Sequence, residues 1–154
     1  MKITDLLSLE TMQMELKGTT KDEVLDELIT LLVDAGKVKK HRPFKKAILA
    51  REKQGSTGVG NGIAIPHAKN KTVLTPALAF GISKEGVDFN SLDGEPAHLF
   101  FMIAVPEGEH NLHLTALSKL ARFLMHDDFK NGLLTAKTKD EVLALIEEKE
   151  KEKE

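Results

Sequence analysis

Seven consecutive apolar residues, Leu99-Phe100-Phe101-Met102-Ile103-Ala104-Val105, run between His98 and Pro106. Successive side chains of an extended chain point to opposite faces, so a stretch that is apolar at every position reads as a central strand covered on both sides. Such a strand needs apolar partners above and below it, and the flanking sequence offers amphipathic helices. Thr20-Lys21-Asp22-Glu23 has capping-box spacing, and Val24, Leu25, Leu28, Ile29, Leu31 and Leu32 then recur at helical intervals before Gly36, which predicts a helix over 21–35. Pro43 suits a first helical position, and Phe44, Ala47, Ile48 and Arg51 share one face of a second helix ending near Lys53.

Further strands are expected at Ile63-Ala64-Ile65, stopped by Pro66, and over residues 76–83, with a short one from Val87 to Phe89 and a turn at Asp93-Gly94. Helical spacing returns over 112–125, where Leu117, Leu120, Ala121 and Leu124 form the stripe. A short helix is expected from Asp127 to Leu134, and Thr138-Lys139-Asp140-Glu141 caps another before Val142, Leu143, Leu145 and Ile146. Helices therefore surround a strand-rich middle. The 154 residues suit one domain, expected over 1–147, and the run 148–154 alternates Glu and Lys with no apolar side, as a solvated extension of the last helix, a charged frayed tail or a linker stub would.

Lys and Arg total 22 against 24 Asp and Glu, a formal charge of −2, so no basic excess is present to neutralise a nucleic-acid backbone. No apolar run approaches the roughly 20 residues that span a bilayer, and Met1-Lys2-Ile3-Thr4-Asp5 does not begin a signal peptide. A cytoplasmic protein without membrane insertion is expected. Cysteine is absent, which leaves the six His residues, His41, His67, His98, His110, His113 and His126, as the side chains that titrate near neutrality.

The segment Gly55-Ser56-Thr57-Gly58-Val59-Gly60-Asn61-Gly62 follows a helix rather than a strand and lacks both G-x-G-x-x-G spacing and a G-K-[ST] sequence, which argues against a nucleotide loop. Its Ser56 and Thr57 hydroxyls and the N–H groups of Gly58 and Gly60 suit a phosphoryl group carried on another residue. His67 is expected where a strand ends, on backbone stiffened by Pro66. The residues alone leave two readings open: a nucleophile whose neutral imidazole attacks phosphorus, or a strand-end His capping a loop carbonyl. His113 lies in the first turn of its helix, where negative charge is favoured, and Arg51 can hold phosphoryl oxygens in bidentate fashion or pair with Glu52. His110-x-x-His113 together with His67 offers a metal-dependent hydrolase as the alternative from another class, although the Glu of H-E-x-x-H is missing. His41, His98 and His126 read as surface or packing residues.

The whole run from Arg51 to His67 resembles the R-E-x-x-x-[ST]-T-G-x-G-x-G-[IV]-A-[IV]-P-H signature of fructose/mannitol-type enzyme IIA domains of the bacterial phosphoenolpyruvate-dependent sugar phosphotransferase system. Two further blocks, Ser91 to Pro106 and His113-Leu114-x-x-Leu117-x-x-Leu120-Ala121, resemble the strand region and the H-L-x-x-L-x-x-L-A helix of the same family. The resemblance implies an α/β sandwich, with a mixed, mostly parallel sheet flanked by helices on both faces. It implies that His67 accepts a phosphoryl group on Nε2 from the phosphocarrier HPr and passes it to an enzyme IIB domain, with His113 and Arg51 beside it and no metal or other cofactor. Val59, Ile63 and Ala68 are candidate apolar contacts for those partners. The Ser91-to-Pro96 block looks like fructose-specific members, and the Arg51-to-His67 run is shared with nitrogen-regulatory IIA proteins, which act by phosphorylation-dependent binding.

Overall fold

The computed structural model describes residues 2–109 and 111–152, with backbone alone for residues 112 and 113. The element order is α1 (Ile3–Leu6), a 3-10 turn (Leu9–Thr11), β1 (Met12–Gln13), α2 (Lys21–Asp34), α3 (His41–Lys53), β2 (Gly58–Gly60), β3 (Ile63–Ala64), β4 (His67–Lys69), β5 (Ala77–Val87), β6 (Ala97–Val105), α4 (Leu112–Leu124), α5 (Asp127–Thr135) and α6 (Lys139–Lys151). Strands β1, β5, β6, β3 and β2 lie side by side in that order, and β4 also pairs with β6. The β1–β5, β3–β6 and β4–β6 pairings are parallel, whereas β2–β3 and the long β5–β6 pairing are antiparallel.

The apolar run forms β6 at the centre of the sheet, and its alternation divides the core into two layers. Leu99, Phe101, Ile103 and Val105 pack with residues of α1, α4, α5 and α6. Phe100, Met102 and Ala104 pack with α2 and α3. Every residue of the run is at most 1% exposed. The sandwich expected from the resemblance is the observed fold.

Four local details differ from the expectations. The second helix begins at His41, two residues before Pro43, because a helix's first N–H groups have no intrahelical acceptor and proline's missing donor costs nothing there. The strand expected at 76–83 runs on as β5 to Val87, irregularly paired between Ile82 and Val87, and takes in only the first residue of the strand expected at 87–89. Part of the Gly-rich segment is not loop but β2, paired with β3. The boundary expected at residue 147 falls inside α6, which continues to Lys151. Lys149 is buried, and Glu150 accepts the Ile3 and Thr4 N–H groups at 2.6 and 3.1 Å and the Lys119 ammonium at 3.1 Å. That stretch therefore clamps the start of α1, and only Lys153 and Glu154 of the expected tail lie outside the described residues.

Candidate functional site

Strands β3 and β4 run along the same edge of β6, registered Ile63 to Leu99 and His67 to Ile103, and the Ile65-Pro66 step interrupts them. The Pro66 carbonyl still accepts the Ile103 N–H at 2.9 Å, so the interruption stays anchored to the central strand. His67 thus opens β4, one step beyond the strand end where it was expected. The chain re-enters the sheet there because Pro66 removes a single donor and not the pairing. His67 and Lys69 are half-buried, and Ala68 between them is buried on the α3 side.

His67 lies in an open depression of about 720 Å³ lined by Ala47, Ala50, Arg51 and Gln54 of the α3 region, Ala68 and Lys69 of β4, and Leu114 and Leu117 of α4. Its Nδ1 is 2.9 Å from the Ile65 carbonyl oxygen. A carbonyl only accepts, so the ring proton belongs on Nδ1 and the lone pair on Nε2. Burial pushes the His67 pKa below the ordinary imidazole value; the Ile65 carbonyl and Glu52 oppose this, and the Arg51 guanidinium adds to it. The net effect keeps the imidazole neutral at pH 7.

Arg51 sits in the last turn of α3, where its Nη1 donates to the Gly55 carbonyl at 2.8 Å. Gly55, at φ +146°, takes a conformation that side-chain-bearing residues avoid, and it turns the chain out of the helix. The neighbouring Glu52 turns the other way. Its side chain is 6% exposed, meets the Lys21 ammonium at 2.9 Å, accepts the Thr57 N–H at 3.1 Å and bonds the Thr57 hydroxyl. The Arg51–Glu52 pairing considered above is thus replaced by Lys21 and Thr57 as partners of Glu52.

The structure brings His67 and Arg51 to one depression and does not bring Ser56, Thr57, Gly58 or Gly60 to its lining. The Thr57 hydroxyl bonds Glu52, and the Ser56 hydroxyl donates to the Phe89 carbonyl at 2.6 Å and accepts the Gly58 N–H at 3.0 Å. Gly58 and Gly60 are strand residues. The backbone of His113 falls in the first turn of α4, as expected, and its side chain lies outside the description, as does His110 altogether. Among the described residues no group of three or more His, Cys, Asp or Glu side chains could hold a metal ion. Of the three apolar candidates, Val59 is 50% exposed while Ile63 and Ala68 are buried; Leu114, 56% exposed and lining the depression, was overlooked because the helical stripe assigned it no inward position. Glu52 was considered only as a partner for Arg51, and its bonds to Thr57 and Lys21 were not anticipated. His98 bonds the Ser83 carbonyl through Nδ1 at 2.9 Å, a packing role like the one expected. Among the described residues no helix is long and apolar enough to cross a membrane.

A family model described as phosphoenolpyruvate-dependent sugar phosphotransferase system, EIIA 2, matches residues 5–149, and the chain belongs to that family. It is an EIIA phosphotransferase domain of the fructose/mannitol type, a component of a phosphohistidine relay. The fructose-specific EIIABC component of Bacillus subtilis is 50% identical over 98% of this chain, which spans 24% of that protein's length. The fructose-specific EIIA component of Haloferax volcanii is 42% identical over 96% of this chain and 98% of its own length. Among solved structures, the nitrogen regulatory protein IIA-Ntr of Neisseria meningitidis matches with a TM-score of 0.87 and 33% identity, covering 94% of this chain and 98% of that one. The enzyme IIA of the Escherichia coli mannitol complex with phosphorylated enzyme IIB matches with a TM-score of 0.79 and 28% identity, over 93% and 99% of the two chains. In that complex the mannitol IIA domain is paired with a phosphorylated IIB domain.

Proposed function

We propose that this chain carries a phosphoryl group on His67 in the cytoplasm, receiving it from phospho-HPr and passing it to a IIB domain that serves fructose-type sugar uptake. The observation that carries the reading is the 2.9 Å contact of His67 Nδ1 with the Ile65 carbonyl oxygen in the Arg51 depression, which directs the Nε2 lone pair to the reaction. The donor phosphohistidine arrives protonated on its second ring nitrogen. Nε2 bonds to phosphorus as the donor's N–P bond breaks, and that electron pair returns to the donor nitrogen, which leaves as neutral imidazole. His67 keeps its Nδ1 proton and becomes a phosphoimidazolium, so no proton moves during the exchange. The Ile65 carbonyl steadies the new ring charge, and Arg51 meets the charge on the equatorial oxygens.

His113, in the first turn of α4, is assigned to steady the phosphoryl group from the favourable end of that helix. Ser56 and Thr57 support the site indirectly, since their hydroxyls are bound to the Phe89 carbonyl and Glu52, and Gly58 and Gly60 do so as residues of β2. The exposed Leu114 and the open depression suit two partners that dock in turn and leave again.

A second reading rests on the match to the nitrogen regulatory protein of Neisseria meningitidis, in which the same phosphorylation would govern binding to a regulatory target. Incubation with phosphoenolpyruvate, enzyme I and HPr, followed by intact mass and acid treatment, tests the relay. One acid-labile phosphoryl group is expected on the native chain and none on His67→Ala. A group that persists in His67→Ala would sink the assignment. Onward transfer to a fructose IIB domain supports the transport reading, and its failure together with target binding supports the regulatory one.

A further inference from the structure

Behind His67 runs an unbroken series of hydrogen bonds that ends on a buried carboxylate. The imidazole Nδ1–H donates to the Ile65 carbonyl at 2.9 Å. The Ile65 N–H donates to the Thr57 carbonyl at 2.9 Å. The Thr57 N–H donates to Glu52 Oε1 at 3.1 Å and the Thr57 hydroxyl bonds Glu52 Oε2. Lys21, the first residue of α2, holds the carboxylate at 2.9 Å while its ammonium stands 4.5 Å from the centroid of the Phe89 ring. The N–H and C=O that Ile65 uses, and likewise those of Thr57, belong to neighbouring peptide groups that meet at one Cα atom, so the series couples the ring to the carboxylate through the position of the backbone.

From this geometry we infer that Glu52 is a positioning residue for phosphoryl transfer, fixing through Thr57 and Ile65 the ring tautomer that leaves the Nε2 lone pair available to phosphorus. The inference rests on the carrier reading of His67. The stiff element between Thr57 and His67 contains Pro66, which limits the ways Ile65 can present its carbonyl. What remains adjustable is the placement of Thr57, and Glu52 takes both donors of that residue. Lys21 balances the carboxylate, so the ion pair is buried with its remaining oxygen positions used by Thr57, the condition under which a buried pair is tolerated. A second consequence follows from charge. Glu52 opposes Arg51 at the imidazole, which moderates how strongly the guanidinium and burial together disfavour the cationic phosphoimidazolium.

The test uses Glu52→Gln and Thr57→Val in the whole chain with uniform 15N labelling. Ring-nitrogen chemical shifts of unphosphorylated His67 report the tautomer, and rapid-quench transfer from phospho-HPr reports kcat and KM separately. For Glu52→Gln the expected result is a mixed His67 tautomer and a fall in kcat of at least about tenfold, with KM for HPr unchanged, as for the loss of a group that orients a reacting imidazole. Thr57→Val, which keeps the backbone N–H, is expected to give a smaller shift in the same direction, and it decides the matter if Glu52→Gln does not fold. A native tautomer with unchanged kcat in a folded variant overturns the inference. Failure of the native chain to accept phosphoryl overturns the carrier reading instead, and the tautomer measurement still stands on its own.

Discussion

At His67 and Arg51 the account turns on charge. Burial, with Arg51 behind it, holds the imidazole pKa below its ordinary range despite the Ile65 carbonyl. In the proposed relay the neutral ring is the nucleophile, so a lowered pKa would keep it reactive to lower pH than an ordinary His. The acceptance rate should stay level as pH falls to the usual imidazole value of about 6.5 and decline only below it. A decline that begins above that value contradicts the environment described. Arg51→Ala should cut the rate by roughly 100-fold through lost stabilisation of phosphoryl oxygens. It should also raise the His67 pKa, which a pH titration followed by NMR would detect as a shift of the decline towards neutrality. That His67 and Arg51 lie in one depression was legible because the run from Arg51 to His67 is long and specific. The partners of Ser56, Thr57 and Glu52 were not: a hydroxyl beside glycines looks the same in sequence whether it faces an anion or a buried carboxylate. Only the fold brings Lys21 and Phe89 to them.

Among the elements, α1 and α6 show how a charged stretch can be structural. Glu150 accepts the first two N–H groups of α1 and the Lys119 ammonium, so a four-residue helix is held by the opposite end of the chain. Burial alone would raise the Glu150 pKa, but the Ile3 and Thr4 N–H groups and Lys119 outweigh it and hold the carboxyl below its usual value. A carboxyl lowered in the folded state contributes stability above its unfolded pKa and loses it as pH falls through the folded one. Glu150→Ala should therefore cost about 1–3 kcal/mol at pH 7, by leaving buried donors without an acceptor. The difference from the native chain should shrink in acid. Thermal melts at pH 7 and pH 3 check both parts; an equal loss at the two pH values would contradict the clamp. Periodicity located α2, α4 and α5 to within a residue or so at each end because each carries an apolar stripe. It allowed the charged run to extend α6 but not to be buried, since alternating Glu and Lys say nothing about which carboxylate finds the other terminus.

For the molecule as a whole, the seven-residue apolar run is what joins the two core layers, and it was the clearest fold signal in the sequence. Phe101 packs beside Phe80 with ring centroids 4.9 Å apart in one layer, and Phe100 beside Phe89 at 5.6 Å in the other. Because both rings sit on the same strand, Phe100→Ala and Phe101→Ala should each cost about 3–5 kcal/mol. Each should lower one melting transition shared by circular dichroism and calorimetry. Separate melting of one layer would refute the description of β6 as the common support. The same strand sets the register of His67, through Ile103, so a buried central strand positions the proposed phosphoryl carrier. The pairing of β1 with β5 had no comparable signal, because two residues are too few to show alternation. Phosphorylation of 15N-labelled protein with phospho-HPr, followed by 15N and 31P NMR, tests the central claim most directly. The account predicts one phosphorus bonded to Nε2 of His67, with the proton still on Nδ1; phosphorus on Nδ1, or on any other residue, would contradict it.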